Sequence, residues 1–118
     1  MGYKLFLDDI RVPVDVLNYN TNPIYNDADW VIVRSYDTFC AHIRDNGVPN
    51  VISFDHDLAL YDFDADEITG YDCANWFINY CLDNDIIIDA RIYIHSMNPT
   101  GVLNIKSLFD TYNKIYKS

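Results

Sequence analysis

Short unbroken apolar runs alternate along this chain with stretches whose apolar positions recur at helical spacing. Tyr3 to Leu7 (YKLFL) is the first run, and Asp8-Asp9 follows at once, which reads as a buried strand ending on acids. Trp30 to Arg34 (WVIVR) and Asn50 to Phe54 (NVISF) repeat the pattern, the latter running into Asp55-His56-Asp57. A fourth strand lies within Ile86 to Ile94, best placed at Arg91 to Ile94, and ends at His95-Ser96. Between these runs, Ser35 or Asp37 can cap a helix carrying Phe39, Cys40 and Ile43, which Asn46-Gly47 stops. From Tyr71, the apolar residues Cys73, Ala74, Phe77, Ile78, Cys81 and Leu82 keep helical spacing. After Asn98-Pro99-Thr100-Gly101 a last helix places Val102, Ile105, Leu108, Phe109, Tyr112 and Ile115 on one side. Two stretches follow neither period. Arg11 to Asp29, with Pro13 and Pro23, reads as an irregular connection, and residues 58–69 as an acidic loop containing tyrosine.

Apolar strands alternating with amphipathic helices indicate a mostly parallel α/β sheet with helices on both faces. The expectation is one domain over residues 1–118, four strands in the order 2-1-3-4, with no internal repeat or linker. Half the residues are hydrophobic, which supports a packed globule. No apolar run approaches the roughly 18 residues of a membrane span. Met1-Gly2-Tyr3-Lys4 enters a strand directly, so the chain is expected to lack a signal peptide and to be cytoplasmic. Cys40, Cys73 and Cys81 form no CxxC pair and read as buried reduced thiols. The net charge of −10 argues against binding the backbone of duplex nucleic acid. It leaves room for small phosphorylated ligands, because a bound cation inverts the local field.

In open parallel sheets, ligands bind beyond the carboxyl ends of the strands, where strand order reverses. Asp8, Asp9 and Asp55 should face one another there. Alternation along the strand would let Asp57 share the direction of Asp55 while His56 points elsewhere. One acidic pair is a common turn former, but acids ending two separate strands point to a metal or phosphate site. A hard divalent cation, Mg²⁺ or Mn²⁺, relieves their repulsion, so Asp8, Asp9, Asp55 and Asp57 are the candidate ligands. His56 and His95 emerge from strands expected to be neighbours. Imidazole titrates near neutral pH, so the pair can serve as general base and acid; the alternatives are ligation of a softer metal or hydrogen bonding to nearby carboxylates. His42, within a helix, is expected to be structural. Ser96-Met97-Asn98-Pro99-Thr100-Gly101 before a helix offers donors and backbone N–H groups for a phosphate. Thr69-Gly70-Tyr71-Asp72 opens another helix near the same rim, where Asp72 chiefly favours the helix's positive end.

LFLDD close to the N-terminus, with ISFDHDL, TGYD and IHSMNPTG, resembles the receiver-like family of cyclic-phosphate processing receiver domains, over nearly the whole chain. The resemblance implies a receiver-like, flavodoxin-like fold and processing of cyclic phosphates on nucleotides or nucleic-acid ends. It carries over to Asp8, Asp9, Asp55, His56, Asp57, Gly70, Asp72, His95, Ser96, Asn98 and Pro99. Relative to ordinary response-regulator receivers, the acid pair and Asp55 match and Ser96 stands where Ser or Thr is expected. The fifth strand with its lysine is absent, which argues against phosphorelay switching; the added histidines suggest turnover.

The leading expectation is therefore a metal-dependent phosphoesterase for a small cyclic phosphate such as a cyclic nucleotide. Asp8, Asp9, Asp55 and Asp57 would serve the metal, and His56, His95 and Asp55 the chemistry. Ser96, Asn98, Thr100, Gly101, Gly70 and Asp72 would line the substrate. The rivals are a noncatalytic receiver for phospho-signalling or nucleotide sensing and an acidic inhibitor that mimics nucleic acid. A nuclease-like DxD fold fits Asp55-His56-Asp57, but it expects a glutamate where this chain has Asp8-Asp9.

Overall fold

A computed structural model describes residues 2–117; Met1 and Ser118, the ends of the expected domain, lie outside the described residues. The elements run β1 (Lys4–Leu7), α1 (Pro13–Val16), a 3₁₀ turn (Pro23–Asn26), β2 (Trp30–Val33), α2 (Tyr36–Asn46), β3 (Val51–Phe54), β4 (Asp57–Tyr61), β5 (Glu67–Thr69), α3 (Gly70–Asp83), β6 (Arg91–Ile94) and α4 (Pro99–Tyr116). Four strands form a parallel sheet in the order β2-β1-β3-β6, which is the expected 2-1-3-4. Among the described residues no fifth strand joins it. The architecture is the receiver-like α/β fold.

Period-two alternation divides each strand between two cores. Leu5, Leu7, Val33, Ile52 and Phe54 pack with Phe39 and Ile43 of α2, Phe77 of α3, and Ile105 and Phe109 of α4. Phe6, Trp30 and Val51 face the other way, against Val16 and Tyr25 from the long connection. Fully burying such a side chain contributes about 1.5–3 kcal/mol, so apolar burial on both faces holds the sheet in place. All three cysteines are buried and free, as their spacing predicted. Among the described residues no helix is long and apolar enough to cross a membrane.

Two stretches differ from expectation. Residues 58–69 are not a loop: β4 and β5 pair antiparallel from Asp57↔Thr69 to Tyr61↔Glu67. Ala59, at φ 53°, breaks the register between Asp57 and Leu60, which disrupts the alternation by which a strand is recognised. The acids make the turn, because Asp62 Oδ1 accepts from the backbone N–H groups of Asp64 and Asp66 at 2.9 and 3.0 Å. The irregular connection likewise contains α1 and the 3₁₀ turn. Asp15 accepts the Val12 N–H at 2.9 Å and Asn22 the Ile24 N–H at 3.1 Å. Both helical pieces are single turns, too short to show a period.

Candidate functional site

Leu7, Phe54 and Ile94 stand side by side in register across β1, β3 and β6. The next residue of each strand is Asp8, Asp55 and His95, and the ladder continues through them. Asp8 N–H donates to the Val33 carbonyl at 3.2 Å, Asp55 N–H to Leu7 at 3.0 Å, and His95 N–H to Phe54 at 2.9 Å. Alternation then sends these three side chains to the face of Phe6, Ser53 and Tyr93. Their ligand atoms all lie within 4.8 Å of one another. The residues are 0%, 3% and 1% exposed, so this row is a buried polar cluster at the carboxyl edge of the sheet.

A chain of hydrogen bonds fixes Asp8. Its Oδ1 accepts the N–H groups of Ile10 and Arg11 at 3.0 and 2.8 Å. Its Oδ2 accepts from His95 Nε2 at 3.0 Å and lies 3.4 Å from Arg11 Nη1. Burial alone would raise the Asp8 pKa, but the bonds from His95, Arg11 and Ile10 outweigh it and hold the carboxyl well below its usual range. An ionised carboxylate only accepts, so His95 carries its proton on Nε2. Nδ1 then accepts from Ser53 Oγ at 2.7 Å, and Ser53 accepts from the Tyr25 hydroxyl at 2.7 Å. Phe6 stacks on the imidazole at 4.4 Å, and Tyr19 donates to the His95 carbonyl at 2.6 Å. Burial lowers the His95 pKa against the pull of Asp8, which keeps the ring neutral.

Asp55 is in the opposite condition. Its carboxylate accepts the His56 N–H at 2.8 Å, and its pKa is pushed up to about 6 by burial and by the charge of Asp8. Asp9, half-buried beside it, adds to that rise. The pair thus holds one fixed charge and a second that is poorly neutralised.

His56 and Asp57 form a separate cluster. His56 Nδ1 meets Asp57 Oδ1 at 2.8 Å, and Asn98 Nδ2 reaches both Asp57 oxygens at 3.3 Å. The bond from His56 lowers the Asp57 pKa. Asp57 therefore does not share the direction of Asp55. The chain leaves β3 after Phe54 and Asp57 opens β4, so one strand's alternation does not span the two. His56 also lines an open cleft of about 440 Å³ with Thr69, Tyr71 and Asn104. A roomier cleft of about 490 Å³, between the hairpin and α3, is lined by none of Asp8, Asp55, His56 and His95.

The remaining rim residues have local work. A Cβ at Gly70 would overlap the Asp55 carbonyl, and one at Gly101 would overlap the His56 ring, so both glycines permit close approach. Asp72 Oδ2 accepts the Thr69 N–H at 2.8 Å and caps α3. Ser96 Oγ accepts the Asn98 N–H at 3.1 Å, and Asn98 Oδ1 accepts the Gly101 N–H at 3.0 Å to cap α4, whose first turn exposes Thr100. Sequence reasoning missed Ser53, Tyr25, Tyr19 and Arg11. The tyrosines lie in the aperiodic connection and gave no signal. Ser53 was legible as the one polar residue inside NVISF after its first position, and Arg11 as a cation close behind the acid pair.

A family model described as the cyclic-phosphate processing receiver domain matches residues 3–111. The chain belongs to that family. No curated protein and no solved structure gives a match.

Proposed function

We propose that this cyclic-phosphate processing receiver domain hydrolyses a cyclic phosphodiester of a nucleotide or nucleic-acid end, with Mg²⁺ or Mn²⁺ held by Asp8 and Asp55. The observation that carries the reading is the in-register row of Asp8, Asp55 and His95, whose ligand atoms converge within 4.8 Å. The donor set suits a hard cation: two carboxylates in one buried place, one fixed as an anion and one lacking a full counter-charge. His95 supports Asp8 from behind by its Nε2–H, the outer-sphere arrangement that orients a ligating carboxylate. Asp9 stands beside the pair as a further ligand or a hydrogen-bond acceptor for water.

When bound, the divalent ion supplies polarisation of the phosphoryl oxygens and activation of water. In the reaction, water adds to phosphorus, one ring P–O bond breaks, and the departing oxygen takes a proton to give a phosphomonoester. His56 would move that proton. Asp57 holds its Nδ1 at 2.8 Å, and the residue lines the open cleft. His95, with both ring nitrogens engaged and the residue 1% exposed, is a positioning residue in this scheme. Ser96, Asn98, Thr100 and the first turn of α4 form the rim on which the phosphate would sit.

The test is incubation with 2′,3′-cyclic nucleotides, cyclic dinucleotides and ADP-ribose cyclic phosphate, with Mg²⁺ or Mn²⁺ and again with a chelator. The expected result is turnover of at least one member that chelation stops. Turnover that survives chelation would assign the chemistry to the histidines alone. Binding without turnover would make the domain a sensor. Failure to bind any member would remove cyclic phosphates as its ligands.

A further inference from the structure

Two buried carboxylates need positive charge near them, and in a chain of net charge −10 little is spare. Among the described residues, the permanently charged group paired with Asp8 is Arg11. Its backbone and its side chain are held by different means. The N–H is fixed on Asp8 Oδ1 at 2.8 Å, and Arg34 Nη1 donates to the carbonyls of Asp8 and Arg11, at 3.2 Å and 2.5 Å. The guanidinium is held loosely by comparison. Nη1 is 3.4 Å from Asp8 Oδ2, Nη2 meets among the described residues only the Met97 thioether at 3.6 Å, and Cζ lies 5.6 Å from the Tyr19 ring centre. A thioether is a weak acceptor for a charged donor, so much of the fork's hydrogen-bonding capacity goes unused. Met97 sits in the turn between Ser96 and Asn98. The side chain therefore bridges the head of β1 and the rim proposed for phosphate, 30% exposed over a carboxylate that is fully buried.

We infer that Arg11 is the resident counter-ion of the Asp8–Asp55 pair and the phosphate ligand of the same site. A divalent cation entering between the carboxylates displaces the guanidinium, which stays tethered through its backbone and turns to take phosphoryl oxygens beside Met97. A planar fork of N–H donors matches phosphate as a thioether does not. The exchange also links the two ligands, since a bound cation frees the arginine for phosphate. This inference rests on the metal reading above.

Wild type, Arg11→Ala and Arg11→Lys separate the two roles without any activity measurement. Mn²⁺ affinity is measured by calorimetry on metal-free protein, and inorganic phosphate affinity at saturating Mg²⁺. Arg11→Ala should bind Mn²⁺ about 2- to 5-fold more tightly, because an exposed competitor for Asp8 is gone. It should bind phosphate on the order of tenfold or more weakly, the effect of losing a charged hydrogen bond. Arg11→Lys keeps the charge and loses the fork, so its Mn²⁺ affinity should stay near wild type while phosphate binding drops. It also supplies the answer if the alanine variant folds poorly. Wild-type Mn²⁺ binding with no gain in Arg11→Ala, or unchanged phosphate affinity in both variants, would overturn the inference and leave the metal reading standing. Absence of Mn²⁺ binding by wild type would overturn both.

Discussion

Asp8→Ala should cost the metal-free protein about 3–5 kcal/mol, the usual result of removing one partner from a buried ionic network. At 118 residues that corresponds to roughly 12–20 °C in melting temperature. The carboxylate is fully buried and accepts from two backbone N–H groups, His95 and Arg11, so alanine strands all four donors. Asp55→Asn should act in the opposite direction. The Asp55 pKa rises from 3.8 to about 6 on folding, so the native state holds this proton more firmly than the unfolded chain. Its stabilising contribution is complete below about pH 4 and is lost as pH rises through about 6. At neutral pH the resulting penalty is up to about 3 kcal/mol, at 1.36 kcal/mol per pKa unit. The neutral amide escapes it. Asp8, whose pKa is depressed, behaves conversely: its contribution is present above the unfolded value of 3.8 and is lost as pH falls through the lower folded value. Denaturant melts with chelator at pH 4.5 and 7.5 distinguish the two. Asp55→Asn should be more stable than wild type at pH 7.5, with most of the advantage gone at pH 4.5. Equal destabilisation by both substitutions would mean that Asp55 is a structural acid like Asp8.

His56→Ala should lower kcat on a cyclic-phosphate substrate about 10²- to 10⁴-fold, the range for a general acid–base group, with little change in melting temperature. Its ring lies at the cleft, and its partners Asp57 and Asn98 can turn to water when it is removed. His95→Ala should show the reverse emphasis. Its ring is buried between Phe6 and Tyr25 and links Ser53 to Asp8, so its loss leaves a cavity and two unmatched polar groups. The melting temperature should fall steeply and Mn²⁺ affinity should weaken about 10- to 100-fold, as for other outer-sphere partners. Saturating metal should recover most of kcat in His95→Ala but none in His56→Ala. A loss of kcat in His95→Ala with Mn²⁺ affinity intact would return His95 to proton transfer.

The four strands of the parallel sheet and the three longer helices were legible because each is long enough, or apolar enough, to declare its period, whereas the β4–β5 hairpin, its alternation broken at Ala59, read as a loop. The 2-1-3-4 order goes with the receiver-like resemblance rather than with the strand pattern alone, and it brings Asp8, Asp55 and His95 to one edge. Two things were lost. The step from Asp55 to Asp57 crosses a strand end, where alternation stops being a guide, so Asp57 joined His56 and Asn98 instead. The division of labour between the histidines depends on depth: two residues at equivalent-looking strand ends differ because His95 stays in the ladder and His56 lies beyond it. Tyr25 and Tyr19 reach the site from a segment without periodicity, and only three-dimensional contacts reveal them. Ser53 and Arg11 carried a sequence signal. A hydroxyl in a buried strand needs a partner, and a cation three residues after an acid sits well to fold back on it.

The central claim is a divalent cation held between Asp8 and Asp55, and calorimetric titration of Mn²⁺ into metal-free wild type and Asp55→Asn at pH 7.5 tests it directly. Wild type should bind a single Mn²⁺, and Asp55→Asn should lose that binding although it is the more stable protein without metal. Equal affinity in the two proteins, or no binding by wild type, would contradict the claim.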